Sequence, residues 1–393
     1  MMLKRDEKDN ITQTSLSEEV DKLLDDSSEF CASDNSASDA DATNSATDDV
    51  IASDSSALIN GDVAAVDDNA NADNLTQEPQ DKPKSKGGFK KRLIIGTAIA
   101  AVYVLVALLT VLLGGYVRIL FDIFVIGVSI IATIEMCNAL GNKFPKPMKL
   151  LVIINVVVGF AAFYLVHFFF SGRFGNNPYS GGITAFFFVL ALMFLVCILY
   201  NVFSKKHSMQ NVLSTMFVLV YPTMISVYML ALNYLRPINN MGYYGLANAA
   251  ILLMFLIPAL SDTGAFFVGS LIKGKKLAPT ISPKKTISGA VGGVLSGVIA
   301  GAIVLAFSLT GVLNVGTLPG GRGWNIAHFL IMGGVGAMFV IVGDLVASYI
   351  KRQCKVKDFS NLLPGHGGVL DRIDSMLLNS VFLYIYFFVL TFF

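Results

Sequence analysis

Carboxylates are scarce where this sequence is most apolar. Of its 28 acidic residues, 21 fall within the first 81 positions, leaving Asp122, Glu135, Asp262, Asp344, Asp358, Asp371 and Asp374 across the last 312. Cysteine is equally thin: Cys31, Cys137, Cys197 and Cys354 form no CxxC pair. That spacing excludes a cysteine-ligated metal and suits a reduced compartment or simple helix packing. His207 and His328 have no partner spacing and are read as structural. The first 81 residues lack aromatics almost entirely and consist of runs such as "DDSSEFCASDNSASDADATNSATDDV". They bury too little apolar surface to offset their ordering entropy and are expected to form a disordered acidic tail. The extreme N-terminus is acidic and has no short apolar core, so it is not read as a signal peptide.

What the chain has in abundance is apolar length, with hydrophobic residues at 54% and charged ones at 15%. After a basic run, "KPKSKGGFKKR", nine apolar stretches follow at about 93–115, 119–140, 149–171, 183–203, 211–234, 246–272, 288–314, 325–350 and 375–393. Most reach the roughly 20 residues that cross a ~30 Å hydrocarbon core at ~1.5 Å per residue. Spans this long and continuous satisfy their backbone internally as helices. The expected fold is all-α, a polytopic transmembrane bundle of nine helices. Its parts are a tail (1–81), a basic juxtamembrane segment (82–92), N-terminal scaffold helices (93–245) and a C-terminal transmembrane region (246–393), which the motifs below mark as the catalytic part.

Loop charge gives the orientation. With the basic run in the cytoplasm, alternate loops carry fifteen Lys and Arg on that side, against Arg118, Arg173, Arg236 and Arg322 on the other. The positive-inside rule therefore predicts a cytoplasmic N-terminus and an external C-terminus.

Against that frame the few remaining acids gain meaning. A carboxylate inside a bilayer costs about 2.5–3.5 kcal/mol on insertion scales, so it persists for a reason. Asp262, in "IPALSDTGAFFVG", lies about 16 Å inside its segment if helical, and Pro258 before it is expected to kink or loosen that helix. Asp344, Ser348 and Lys351 fall on one helical stripe. Asp371 and Asp374, three apart, project from one face at the start of the last helix. All three sets sit towards the cytoplasmic side beside Lys or Arg. Oxygen ligands without His or Cys pairs suit Mg²⁺, and flanking cations suit phosphates, which together suggest phosphoryl or nucleotidyl transfer. Asp122 and Glu135 have no motif around them and are read as helix-to-helix bonds. Gly289, Gly293, Gly297 and Gly301 repeat every four residues and are read as a close-packing face. "GSLIKGKK" imitates a phosphate-binding loop but has Lys276 in place of the metal-binding hydroxyl and follows a membrane helix, so it is rejected.

The segment "SYIKRQCKVKDFSNLLPGHGGVLDRID" is the most specific feature. Its Ser348, Lys351, Arg352, Lys357, Asp358, Ser360, Pro364, His366, Gly367, Gly368, Asp371, Arg372 and Asp374 stand at the spacing of one signature. It resembles that of the CDP-diacylglycerol synthases, or phosphatidate cytidylyltransferases. "SDTGAFFVG" and "KLAPTISPKKTISGAVGG" resemble two further elements of that family, with Gly264 a small-for-small departure. The resemblance covers about the last 150 residues specifically, and residues 90–250 by hydropathy alone.

It implies an enzyme that takes CTP and phosphatidate to CDP-diacylglycerol and pyrophosphate with Mg²⁺, with room for a second cation. Asp262, Asp344 and Asp371 are then the metal-side carboxylates, and Asp374 orients the site. Lys284, Lys285, Lys351, Arg352 and Arg372 hold phosphates, joined by Ser348 and Lys357, while Thr286 or Ser288 caps helix seven. The glycines of "PGHGG", Gly367 and Gly368 among them, let backbone amides approach phosphate, and His366 bonds a phosphate oxygen. Helices two to five are read as scaffold and as the surface of a homodimer. The expected location is a bacterial plasma membrane with the active site cytoplasmic, in contact with lipid and with no nucleic acid. Two alternatives stand: a CTP-dependent kinase of a membrane alcohol such as dolichol or phytol, and an ion or solute transporter. No repeated halves support the transporter.

Overall fold

The computed structural model describes residues 86–113, 118–170, 179–204, 208–235, 245–318 and 320–390. The acidic tail falls outside them. Among the described residues are nine helices long and apolar enough to cross a membrane. They are α1 (Lys86–Leu113), α2 (Arg118–Leu140), α3 (Lys149–Phe170), α4 (Tyr179–Phe203), α5 (Met209–Leu232), α6 (Gly245–Ile272), α7 (Ile287–Thr310), α8 (Arg322–Gln353) and α9 (Leu370–Leu390). Leu, Val and Phe cover their outer faces, with Val104, Leu120, Phe168, Phe188, Leu199, Phe266 and Leu295 exposed. An apolar exterior on this scale is tolerated only in lipid. The chain is an integral membrane protein.

Two local features depart from the sequence expectation. Pro258 lies inside α6, which runs from Gly245 to Ile272. The interruption lies in α5, where a wide turn over Leu219–Met224 replaces α-helix and Tyr221 takes an extended backbone (φ −125°, ψ 117°). Leu219, Tyr221, Pro222 and Thr223 are buried, as irregular backbone at membrane depth must be. Thr223 shares a 3.0 Å hydrogen bond with Thr133 of α2. The second departure is a two-stranded antiparallel hairpin, β1 (Lys276–Ala278) with β2 (Ser282–Thr286), in the loop between α6 and α7. Its polar sequence reads as loop, since the strands are too short to show a period.

The glycine repeat packs as expected and divides its duty. Gly289 and Gly293 lie against Gly269, Ala265 and Ser261 of α6, whereas Gly297 and Gly301 lie against Gly333, Ala337 and Phe329 of α8. A side chain at Gly297 would run into the Gly333 carbonyl, so glycine here sets the distance between helices. Helices α6, α7 and α8 thus form the tightest unit of the bundle, and α9 packs on α8. Towards the other end, Asp122 is held by Asn233 (2.7 Å) and Tyr234 (2.6 Å), a stitch between helices as anticipated. His328 likewise bonds Tyr386 at 2.8 Å. Cys137, Cys197 and Cys354 are buried free thiols.

Candidate active site

The close α6–α7–α8 packing brings three polar segments to one end of the bundle. Thr286 ends β2 and caps α7, its hydroxyl accepting from Gly289 N at 3.1 Å. Ser288 instead donates to the Lys273 carbonyl, which ties the cap to the end of α6. The hairpin thereby hangs over the ends of α6 and α8. Arg352 secures it from below, donating through Nε to Ile281 O at 3.4 Å.

Beneath the hairpin lies a cavity of about 400 Å³ walled by Asp262, Lys284, Lys285, Thr286, Gly269 and Asp344. Lys285 pairs with Asp344 at 2.6 Å. With both side chains partly open to solvent, such a pair adds less than about 1 kcal/mol of stability. Its use is to hold charge of both signs at the wall. A second cavity, about 580 Å³, lies between α1, α6, α7 and α9. Its walls are mostly apolar, from Ile99, Val104, Leu108, Leu256 and Phe307, and at one end Asp262, His366, Arg372 and Ser375 converge. Val104 and Leu108 of this wall are exposed and belong to the membrane-spanning part of α1, which places the cavity at the depth of the apolar helices. Asp262 belongs to both walls. A polar chamber and an amphipathic one meet at a single carboxylate.

Asp371 does not join Asp262 and Asp344. Its Oδ1 accepts from Lys351 Nζ at 2.9 Å and its Oδ2 from Phe359 N at 2.9 Å and Gly368 N at 2.8 Å. Asp374, buried beside it, accepts from Ser375 N at 2.7 Å and faces Lys351 at 3.8 Å. Lys351 therefore neutralises two carboxylates with buried side chains, with Phe359 under its ammonium at 5.3 Å, and lines neither of the two cavities above. Among the described residues no three of His, Cys, Asp and Glu gather as a metal-holding group. Asp262 and Asp344 share one cavity wall, while Asp371 in this arrangement ties Lys351 to the α8–α9 loop.

The "PGHGG" glycines also serve a different purpose from that expected. Gly365 and Gly367 take positive φ (80° and 81°), which a side chain would strain. Their neighbours' amides are already engaged: His366 N with Leu363 O, Gly368 N with Asp371, Val369 N with Glu135. A Cβ on Gly367 would stand 2.8 Å from Asp371 Oδ2, and one on Gly368 2.5 Å from Glu135 Oε2. Gly367 and Gly368 make room for the protein's own carboxylates, which take the amides of Gly368 and Val369. Arg372 clasps the same loop through His366 O (3.1 and 2.7 Å), which holds its guanidinium at the second cavity. His366 Nδ1 has no hydrogen-bond partner among the described residues. Ser348 lies 3.5 Å from Asp344, a turn away, while Arg352 and Lys357 are exposed outside both cavity walls.

Sequence reasoning missed two contributions from outside the C-terminal region. Gly96, Ile99 and Tyr103 of α1 wall the second cavity. Glu135 of α2 reaches the signature loop. The only sequence signal for Glu135 was its cost: a lone carboxylate in an apolar helix implies a partner, and none lies nearby in sequence.

Comparison with known proteins agrees with this architecture. The phosphatidate cytidylyltransferase of Haemophilus influenzae is 41% identical over 149 residues, 38% of this chain and 48% of that protein. That of Brucella melitensis is 36% identical over 160 residues (40% and 52%), and that of Bacillus subtilis 35% over 164 (41% and 55%). The chain spans about half the length of the curated relatives it matches. A model of the cytidylyltransferase family, by contrast, matches residues 90–390, from within α1 to the last residue of α9. Since that match takes in both cavities and every helix bordering them, the chain belongs to the cytidylyltransferase family.

Proposed function

We propose that this protein transfers the cytidylyl group of CTP to phosphatidate, giving CDP-diacylglycerol and pyrophosphate. The observation that carries the reading is Asp262 on the shared wall of a chamber lined by Lys284, Lys285 and Asp344 and of a mostly apolar one. The first suits the triphosphate, bound by Lys284 and Lys285. The second suits a lipid whose acyl chains lie along α1 and α6 and whose phosphate meets Arg372 and His366. An oxygen of the lipid phosphate attacks the α-phosphorus of CTP, the bond to the β-phosphate breaks, and pyrophosphate leaves. The attacking phosphate is already an anion, so no general base is required. The protein's task is to bring two polyanions together and to stabilise the leaving group.

Asp262 and Asp344 fit a Mg²⁺ site. They offer carboxylate oxygens at one polar cavity, and this ion takes one or two carboxylates plus substrate phosphates and water. A bound Mg²⁺ supplies neutralisation of the triphosphate and of the departing pyrophosphate. The loop charges support an active site on the cytoplasmic face of a bacterial plasma membrane, with the N-terminus inside and the C-terminus outside.

The test uses membranes containing the protein, CTP labelled at its α-phosphate, phosphatidate and Mg²⁺. The expected result is label in the lipid fraction as CDP-diacylglycerol, lost when phosphatidate or Mg²⁺ is omitted. Label recovered as CDP, with phosphate moved to a lipid alcohol, would replace this reading with a kinase. No transfer from folded protein would overturn it.

A further inference from the structure

Glu135 lies on α2, more than 220 residues before the loop it holds. It is buried, at 3% exposure, and bonds three groups of the α8–α9 segment. Oε1 accepts from Ser360 Oγ at 2.6 Å and from Val369 N at 3.0 Å, and Oε2 accepts from Leu370 N at 2.8 Å. Val369 immediately precedes α9 and Leu370 is its first residue, and amides at a helix start are donors that the helix leaves without internal partners. A carboxylate there is favoured both by hydrogen bonding and by the helix dipole. Ser360 also accepts from Leu362 N at 3.1 Å, so its hydroxyl is fixed as a donor to Glu135.

From this geometry we infer that Glu135 is a positioning residue for the lipid half of the site. It sets the height of α9 and the path of the loop, and with them Arg372 and His366, at the polar end of the second cavity. It touches no wall of the nucleotide cavity, which α6, the hairpin, α7 and α8 build without the loop. The inference rests on the functional reading above for the identity of the lipid substrate, but its geometric part does not.

Glu135→Gln keeps the size and removes the fit. Its amide oxygen serves at most one side of the carboxylate's duty, and its NH₂ then confronts a donor, either Leu370 N–H or the Val369 and Ser360 pair. Glu135→Asp keeps the charge but falls one methylene short. Ser360→Ala removes a single donor and leaves the two backbone bonds, a milder probe that retains folding if Glu135→Gln does not. Two readouts are made on the full chain in lipid nanodiscs. The first is hydrogen–deuterium exchange of the peptide spanning 359–372; faster exchange at Val369 and Leu370 in Glu135→Gln is expected, with the α6–α7 hairpin unchanged. The second is steady-state kinetics. The KM for phosphatidate is expected to rise about ten- to a hundredfold, the loss of hydrogen bonds to a charged group, while the KM for CTP stays within about twofold. Ser360→Ala shifts the same parameter less.

Unchanged exchange at Val369 and Leu370 would overturn the clamp itself, whatever the reaction. Faster exchange with both KM values intact and only a fall in active protein would reduce Glu135 to a stabilising residue and overturn the positioning role. If the wild-type protein carries out no cytidylyl transfer, the functional reading fails while the exchange result still decides the clamp.

Discussion

At the scale of single residues, Asp262 carries the account. It is the one carboxylate common to the two cavities, and it lies in α6 where apolar neighbours make its retention expensive. Asp262→Asn keeps shape and removes charge, so turnover should fall by about a hundredfold or more. Elution from size exclusion and membrane insertion should remain those of the wild type. Asp371 is predicted to behave differently. Asp371→Asn leaves Lys351 with only the more distant Asp374 and gives a donor to face the amides of Phe359 or Gly368. Removing one partner of a buried pair typically costs about 3–5 kcal/mol. A lowered unfolding temperature should accompany its loss of activity, where Asp262→Asn shows none. Asp262 and Asp344 were legible in the sequence as costly intramembrane acids. The role of Asp371 was not, because its three donors come from residues that only the folded loop brings within reach. The same holds for Glu135, whose partners lie on another helix.

At the scale of elements, the helices were legible because the bilayer imposes both a length and a composition on each. The observed bounds depart from the expected ones mainly at polar ends, where α8 runs on to Gln353 and α9 begins at Leu370. The interruption in α5 and the hairpin were not legible. A proline in an apolar run marks a lost hydrogen bond but not whether the backbone bends, and here Pro258 lies inside α6 while Tyr221 takes an extended backbone within α5. The cap of α7 was among the expectations, and it makes a testable element-scale claim. Thr286→Ala should cost about 1 kcal/mol, read as a drop in thermal unfolding temperature, and should also loosen the hairpin over the cavity beneath it. The small-residue face makes another. Gly297→Leu would force α7 from α8 against the Gly333 backbone, with a cost of about 1–3 kcal/mol from overpacking. Its mark is lower yield of folded protein in detergent, with specific activity of the remainder reduced as well.

At the scale of the whole molecule, the N-terminal helices contribute to the candidate site alongside the C-terminal region. Helices α1 and α2, which carry no motif, supply a wall of the mostly apolar cavity and the carboxylate that fixes the loop. The C-terminal helices and their hairpin alone wall the cavity that holds Lys284, Lys285 and Asp344. Under the proposed cytidylyl transfer, two substrates of opposite solubility would each take one chamber, the nucleotide beneath the polar hairpin and the lipid between α1, α6, α7 and α9. The measurement that tests this most directly is the pair of KM values, for CTP and for phosphatidate, in Lys284→Ala and in Arg372→Ala. The account predicts a crossed result: Lys284→Ala raises the KM for CTP about tenfold and leaves that for phosphatidate, and Arg372→Ala does the reverse, each change being the loss of one charge-assisted contact. Both variants shifting the same substrate would contradict the assignment of one substrate to each cavity.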